Sequence, residues 1–157
     1  RTRACSSLVA AKGDLATELA GRVGDGLIAV APEPDTVRGF ERAGGRDKPR
    51  FGQVHVCWAE EESEARRTAH EWWPNAAIVG ELGQELPLPR HFEQAAETMC
   101  QEDVSEAVVC GPDPDRHIEA IGEFVDAGFD HVWVHQIGPD QGGFLRFYEQ
   151  EVLPKVR

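Results

Sequence analysis

The stretch AAKGDLATELAGRVGDGLIAV, Ala10 to Val30, holds the end of one apolar run, a lone glycine, a helical pattern and the start of a second apolar run. The runs SLVAA at 7–11 and GLIAVA at 26–31 have strand length, and between them Leu15, Leu19 and Val23 recur every four residues. The spacing predicts a helix over 14–24, capped by Asp14 and ended by Gly24. Two strands joined through a helix are parallel neighbours, because only a crossover of that length returns the chain to the same edge.

The same alternation continues outward. FGQVHVCWA at 51–59 and DHVWVHQI at 130–137 read as strands. Pro34, Val37, Phe40 and the Gly44-Gly45 pair predict a short helix over 34–43. EEESEA opens a helix over 60–73 with acidic residues at its positive end, and Pro74 stops it. Asp113-Pro114 starts another along Ile118, Ile121 and Val125 to Gly128, and a last helix over 141–153 sets Phe144, Phe147, Tyr148 and Val152 on one side. Four β-α units result, half of the eight in a (β/α)8 TIM barrel.

Residues 74–111 follow the third strand, hold Pro87 and Pro89, and are too long for an ordinary loop. They read as an insertion acting as a lid. The chain as a whole, 1–157, is expected to be one partial-barrel domain. It starts at Arg1 rather than Met and reads as a fragment, and the polar, patternless residues 1–6 are expected to be disordered.

There are 28 acidic and 16 basic side chains, a net charge of -12, which disfavours nucleic acid and anionic lipid as partners. Cys5, Cys57, Cys100 and Cys110 form no C-x-x-C pair, and neither a signal peptide nor an apolar run of membrane length is present, so a cytoplasmic location is expected. His131 and His135 lack a second ligand pair, and no metal site is predicted. His70-Glu71 lacks the second histidine of H-E-x-x-H, and no G-x-S-x-G occurs, which leaves hydrolase chemistry unsupported.

Gly13 sits where the first strand gives way to a helix, and backbone amides at a helix start suit an anionic phosphate, with Lys12 beside it. The plainer reading is a glycine that relieves a tight turn. His135 and Gln136 close the fourth strand, at the end where barrels keep their active sites, and either face a ligand or serve structure. Trp72, Trp73 and Asn75 form either a wall for a planar ligand or part of the core.

The segments LAGRVGDGLIAVAP, QVHVCWAEEESEARRTAHEWWPNAA, HFEQAA and CGPDPDRHIEAIGEFVDAGFDHVWVHQIGPDQGGFLRFYEQEVLP carry a resemblance that spans nearly the whole chain. The sequence resembles the C-terminal half of the luciferase-like oxidoreductases that use the deazaflavin coenzyme F420, in particular the branch of F420-dependent glucose-6-phosphate dehydrogenase. The resemblance implies an α/β fold, the C-terminal half of a (β/α)8 TIM barrel with a helical insertion after the third strand present here. It also implies hydride transfer between C5 of the bound coenzyme and a small-molecule substrate, and a homodimer at full length.

In that family the turn after the fifth strand holds the coenzyme phosphate, which maps to Ala10, Ala11, Lys12 and Gly13. Ala29 and Ala76 match positions that line the ring pocket. The family shows Gly-Pro where this chain has Gly13-Asp14. Its sugar-phosphate-binding threonine and lysine correspond to Val30 and Glu33, and a later basic position to Ala107, so glucose-6-phosphate is not expected as the substrate. The family's catalytic residues lie in its N-terminal half, and none can be named here. The alternatives are a non-catalytic half-barrel that pairs with another chain, and a fragment of a luciferase-like monooxygenase that uses FMN.

Overall fold

The computed structural model describes residues 6–78, 80 and 82–156. Most of the lead-in expected to be disordered, residues 1–5, lies outside the described residues. The chain runs β1 (Leu8–Ala10), α1 (Asp14–Val23), β2 (Gly26–Ala29), α2 (Pro34–Phe40) with a π-turn Glu41–Gly45, and β3 (Arg50–Cys57). It continues with α3 (Glu62–Trp72), a 3-10 turn Pro74–Ala77, α4 (Leu82–Glu85), α5 (Pro89–Ala96), α6 (Gln101–Ala107) and β4 (Val109–Cys110). The last elements are α7 (Pro114–Asp126), β5 (His131–Gln136) and α8 (Gln141–Phe147), extended by a π-turn Tyr148–Val152. All four expected strands form, and the segment after β3 is helical. β4 went unpredicted because two residues carry no periodicity.

These elements belong to two compact units, residues 1–54 with 119–134 and residues 55–118 with 135–157, so β3, α7 and β5 each contribute to both. In the first unit β1 lies parallel to β2, with Ala10 beside Ile28, and β2 parallel to β3, with Ala29 beside Gly52. Helix α1 forms as the spacing predicts, but it does not bury its Leu15, Leu19 and Val23 stripe. Leu15 is 85%, Leu19 54% and Val23 67% exposed, while Thr17, Ala20 and Gly21 face inward. The cause is close approach: a Cβ on Gly21 would stand 2.6 Å from both the Ala43 Cβ and the Phe40 carbonyl oxygen. Only a small-residue face lets α1 lie that near the π-turn, and the larger residues turn outward.

On α7 the inward residues are Ile121 and Phe124, whereas Val125 is exposed. Phe124 covers Gly52, where a Cβ would come within 2.2 Å of its ring, and meets Phe129 edge-on at 5.3 Å. Arg50 closes the unit at the start of β3. Its guanidinium donates to both carboxylate oxygens of Asp130, at 2.7 and 2.9 Å, and to Glu41 at 2.7 Å. That arrangement holds the Asp130 carboxyl below its usual range.

In the second unit the end of β3 pairs in parallel with β4, Val56 beside Val109 and Cys57 beside Cys110. Around them Ala65, Ala69, Ala77, Val104, Val108 and Ile137 form an apolar cluster. Burial pushes the Cys57 thiol up to about 12 and the Cys110 thiol up to about 11, which makes both poor nucleophiles. His117 on α7 is fully buried. Its Nε2–H donates to the Gly111 carbonyl at 3.0 Å and its Nδ1 pairs with the Tyr148 hydroxyl at 2.8 Å, while burial lowers its pKa and so favours the neutral ring. Among the described residues no helix is long and apolar enough to cross a membrane.

β5 pairs with β3. The Asp130 amide donates to the Arg50 carbonyl at 3.0 Å and the Ile137 amide to the Val56 carbonyl at 2.8 Å, so the two strands run in the same direction. Residues about 80 apart in sequence therefore stand side by side.

Candidate functional site

The turn that leaves β1 is built from its backbone. Ala10 is exposed, Ala11 is buried, and Lys12 and Gly13 are exposed. The Ala11 amide donates to the Ile28 carbonyl at 3.0 Å and is therefore spent on the sheet, which removes it from the donors that the family mapping would offer a phosphate. Gly13 has φ 82° and ψ 164°, a region that L side chains rarely adopt. Its carbonyl accepts from the Thr17 amide at 3.1 Å and from Oγ1 of the same residue at 2.8 Å, which pins the turn to the first coil of α1.

Asp14 does not cap the helix. Gly13 holds the N-cap position without a side-chain hydrogen bond, and Asp14, the first helical residue, is exposed. The first amides of α1 are thus left without a side-chain acceptor. A Cβ built on Gly13 meets nothing within 4 Å, so the backbone here is open to approach.

Beside the turn lies a groove of about 450 Å³. Asp14, Glu18, Glu33 and Asp35 line it against one guanidinium, Arg42. Glu33 holds the N-cap position of α2 and accepts from the Thr36 hydroxyl at 3.2 Å. Val30 is exposed just past β2. Ala29 is buried on the strand next to the turn, so this unit brings Ala10, Ala11, Lys12, Gly13 and Ala29 together. Ala76 belongs to the other unit, in the 3-10 turn, half-buried against the apolar cluster. Ala107, also there, ends α6.

The second unit separates the two tryptophans. Trp72 is 52% exposed, whereas the Trp73 ring lies 5.9 Å from that of His55 and 5.2 Å from that of His135. Asn75 is exposed and joins His70, Pro74 and Phe92 around a groove of about 750 Å³. His70 is tied by its Nε2 to the Met99 carbonyl at 2.9 Å, a link from α3 to the insertion. Gln136 is structural: its amide accepts from the Trp58 backbone N–H at 2.8 Å and donates to the Trp58 carbonyl at 3.1 Å.

His135 instead meets His55, Nδ1 to Nδ1, at 3.0 Å. Burial, and secondarily His135, lowers the His55 pKa. Sequence reasoning missed His55 because its partner is 80 residues away. The signal was the offset that also pairs Arg50 with Asp130, legible only once β3 and β5 are known to be neighbours.

Residues 8–131 match the family described as luciferase-like monooxygenase. The chain belongs to that family. Among its relatives, the F420-dependent glucose-6-phosphate dehydrogenase of Microbacterium testaceum is 31% identical over 95% of this chain and 48% of that protein. The enzyme of the same description from Beutenbergia cavernae is 30% identical over the same shares. Of solved structures, an F420-dependent secondary alcohol dehydrogenase in complex with an F420-acetone adduct aligns with a TM-score of 0.80 and 20% identity, over 99% of this chain and 50% of that one. The coenzyme F420 dependent tetrahydromethanopterin reductase of Methanopyrus kandleri aligns at 0.61 and 19%, over 96% and 50%. This luciferase-like chain spans about half the length of the curated relatives it matches, and its fold is that of about half of a TIM-barrel luciferase-like enzyme.

Proposed function

We propose that this chain is the C-terminal half of an F420-dependent oxidoreductase, in which the turn Ala10–Gly13 holds the coenzyme phosphate and the segment 74–111 acts as a lid. The supporting observation is the turn itself. Gly13 leaves the start of α1 uncapped and unobstructed, and the exposed Lys12 precedes it in the chain. The relatives from Microbacterium testaceum and Beutenbergia cavernae are F420-dependent dehydrogenases.

The residues fit an anionic group at the amides that follow Gly13, with Lys12 adding charge and the helix dipole favouring an anion. Ala29, on the strand next to the turn, and Ala76, in the 3-10 turn of the other unit, are the small ring-lining positions that the family resemblance implies. When bound, the deazaflavin supplies hydride chemistry at its C5. The chain's own residues bind and orient it, and its catalytic acid and base come from the other half of the barrel. Dimerisation of the complete protein belongs to the same proposal.

The substrate is a small organic molecule other than glucose-6-phosphate. A sugar phosphate needs cations, and the positions that hold one in the family are Val30 and Glu33 here. The test is a fluorescence titration of a protein carrying both barrel halves with F420 and, separately, with FMN. Tight binding of F420 alone supports the reading. Tight binding of FMN alone transfers the chain to the monooxygenase branch, and binding of neither leaves a non-catalytic module.

A further inference from the structure

His55 on β3 and His135 on β5 approach through the same ring atom, Nδ1 to Nδ1 at 3.0 Å, with the rings nearly perpendicular at 81°. Neither Nε2 makes a hydrogen bond among the described residues. Two imidazole nitrogens at this separation hold either one shared proton or one metal ion. With metal–nitrogen bonds of about 2.0–2.1 Å, a 3.0 Å chord subtends about 91–97° at the metal, since half the chord over the bond gives the sine of half the angle. That is the cis angle of tetragonal coordination, narrower than the tetrahedral angle that zinc prefers.

We propose that His55 and His135 form a two-imidazole site for a late first-row divalent cation, Cu(II) ahead of Ni(II) and Zn(II), with water completing the coordination. The order follows from the affinity series for nitrogen ligands and from the tetragonal angle. Both histidines are half-buried rather than sealed in the core. Trp73 packs against both rings and limits their rotation, which keeps the two donors convergent. Binding needs no net proton release when both rings are neutral. The proton that bridges the two Nδ1 atoms leaves its nitrogen, the same ring takes one up at Nε2, and both Nδ1 lone pairs turn to the metal. The proposal is independent of the coenzyme reading, because every atom it uses lies in the second unit.

The experiment is a titration of the chain with Cu(II) chloride at pH 7.5, followed by calorimetry in two buffers and by electron paramagnetic resonance. The expected result is one tightly bound equivalent, splitting from two imidazole nitrogens, and a heat independent of the buffer. His55→Gln and His135→Gln should each weaken binding by about tenfold or more, while His91→Gln leaves it unchanged. Splitting from fewer than two imidazole nitrogens, or an affinity unaltered in the double variant, would overturn the proposal. Circular dichroism checks that each variant folds. Should one not fold, a Zn(II) titration of the unaltered chain reads the site through the imidazole nitrogen resonances. Joint movement of the His55 and His135 signals supports the proposal, and movement of only one or of neither refutes it.

Discussion

Single residues decide what the turn after β1 can hold. Asp14 is exposed at the first position of α1, where its carboxylate favours the helix dipole but repels an anionic ligand. Asp14→Asn should therefore lower unfolding stability slightly, by about 0.3–1 kcal/mol, while tightening F420 binding by about fivefold. Denaturant melts and a fluorescence titration of the same variant read the two effects, which have opposite signs. His117 sets a second expectation. Burial lowers its folded pKa below the ordinary value of about 6.5, so the unfolded chain binds the proton more readily. The stabilisation is complete above about pH 6.5 and is lost as pH falls below it. A urea midpoint that drops between pH 7.5 and 5.5, and drops less in His117→Gln, is the expected outcome. Asp130 acts in the same sense at lower pH, because Arg50 holds its carboxyl down.

At the scale of elements, helix α1 shows what a repeat leaves open. The repeat of four at Leu15, Leu19 and Val23 marks the helix, yet the element docks through Thr17, Ala20 and Gly21. Hydrophobic periodicity assumes that the larger residue wins the buried side. At Gly21 the chain of Phe40 and Ala43 comes too close even for a methyl, since a Cβ there would stand 2.6 Å from each. Leu19→Lys should consequently change stability by no more than about 0.5 kcal/mol. Gly21→Val should cost about 2 kcal/mol or more through overpacking against Phe40 and Ala43, measured by chemical denaturation. Strand positions were legible, because β-branched and aromatic runs bounded by glycine and proline have few other solutions. That helices follow in the long segment after α3 was legible too. β4 and the roles of Gln136 and His70 were not, since each depends on a partner distant in sequence.

For the whole molecule, the alternation of strand and helix and the long family segments were enough to anticipate a parallel α/β fold spanning about half a barrel, and the match to the luciferase-like family bears this out. The candidate site was legible only in outline. The sequence marked Gly13 as a helix mouth but could not reveal that the Ala11 amide is consumed by Ile28, or that four carboxylates gather in the adjacent groove. Those features bear directly on the central claim, that the amides after Gly13 receive the coenzyme phosphate. The most direct measurement is amide nitrogen-15 chemical shift mapping of a protein carrying both barrel halves, titrated with F420 to saturation. The expected result is that the largest shifts fall on Gly13, Asp14 and Leu15 while the Ala11 amide moves little. Saturated binding that leaves those three amides unmoved would contradict it.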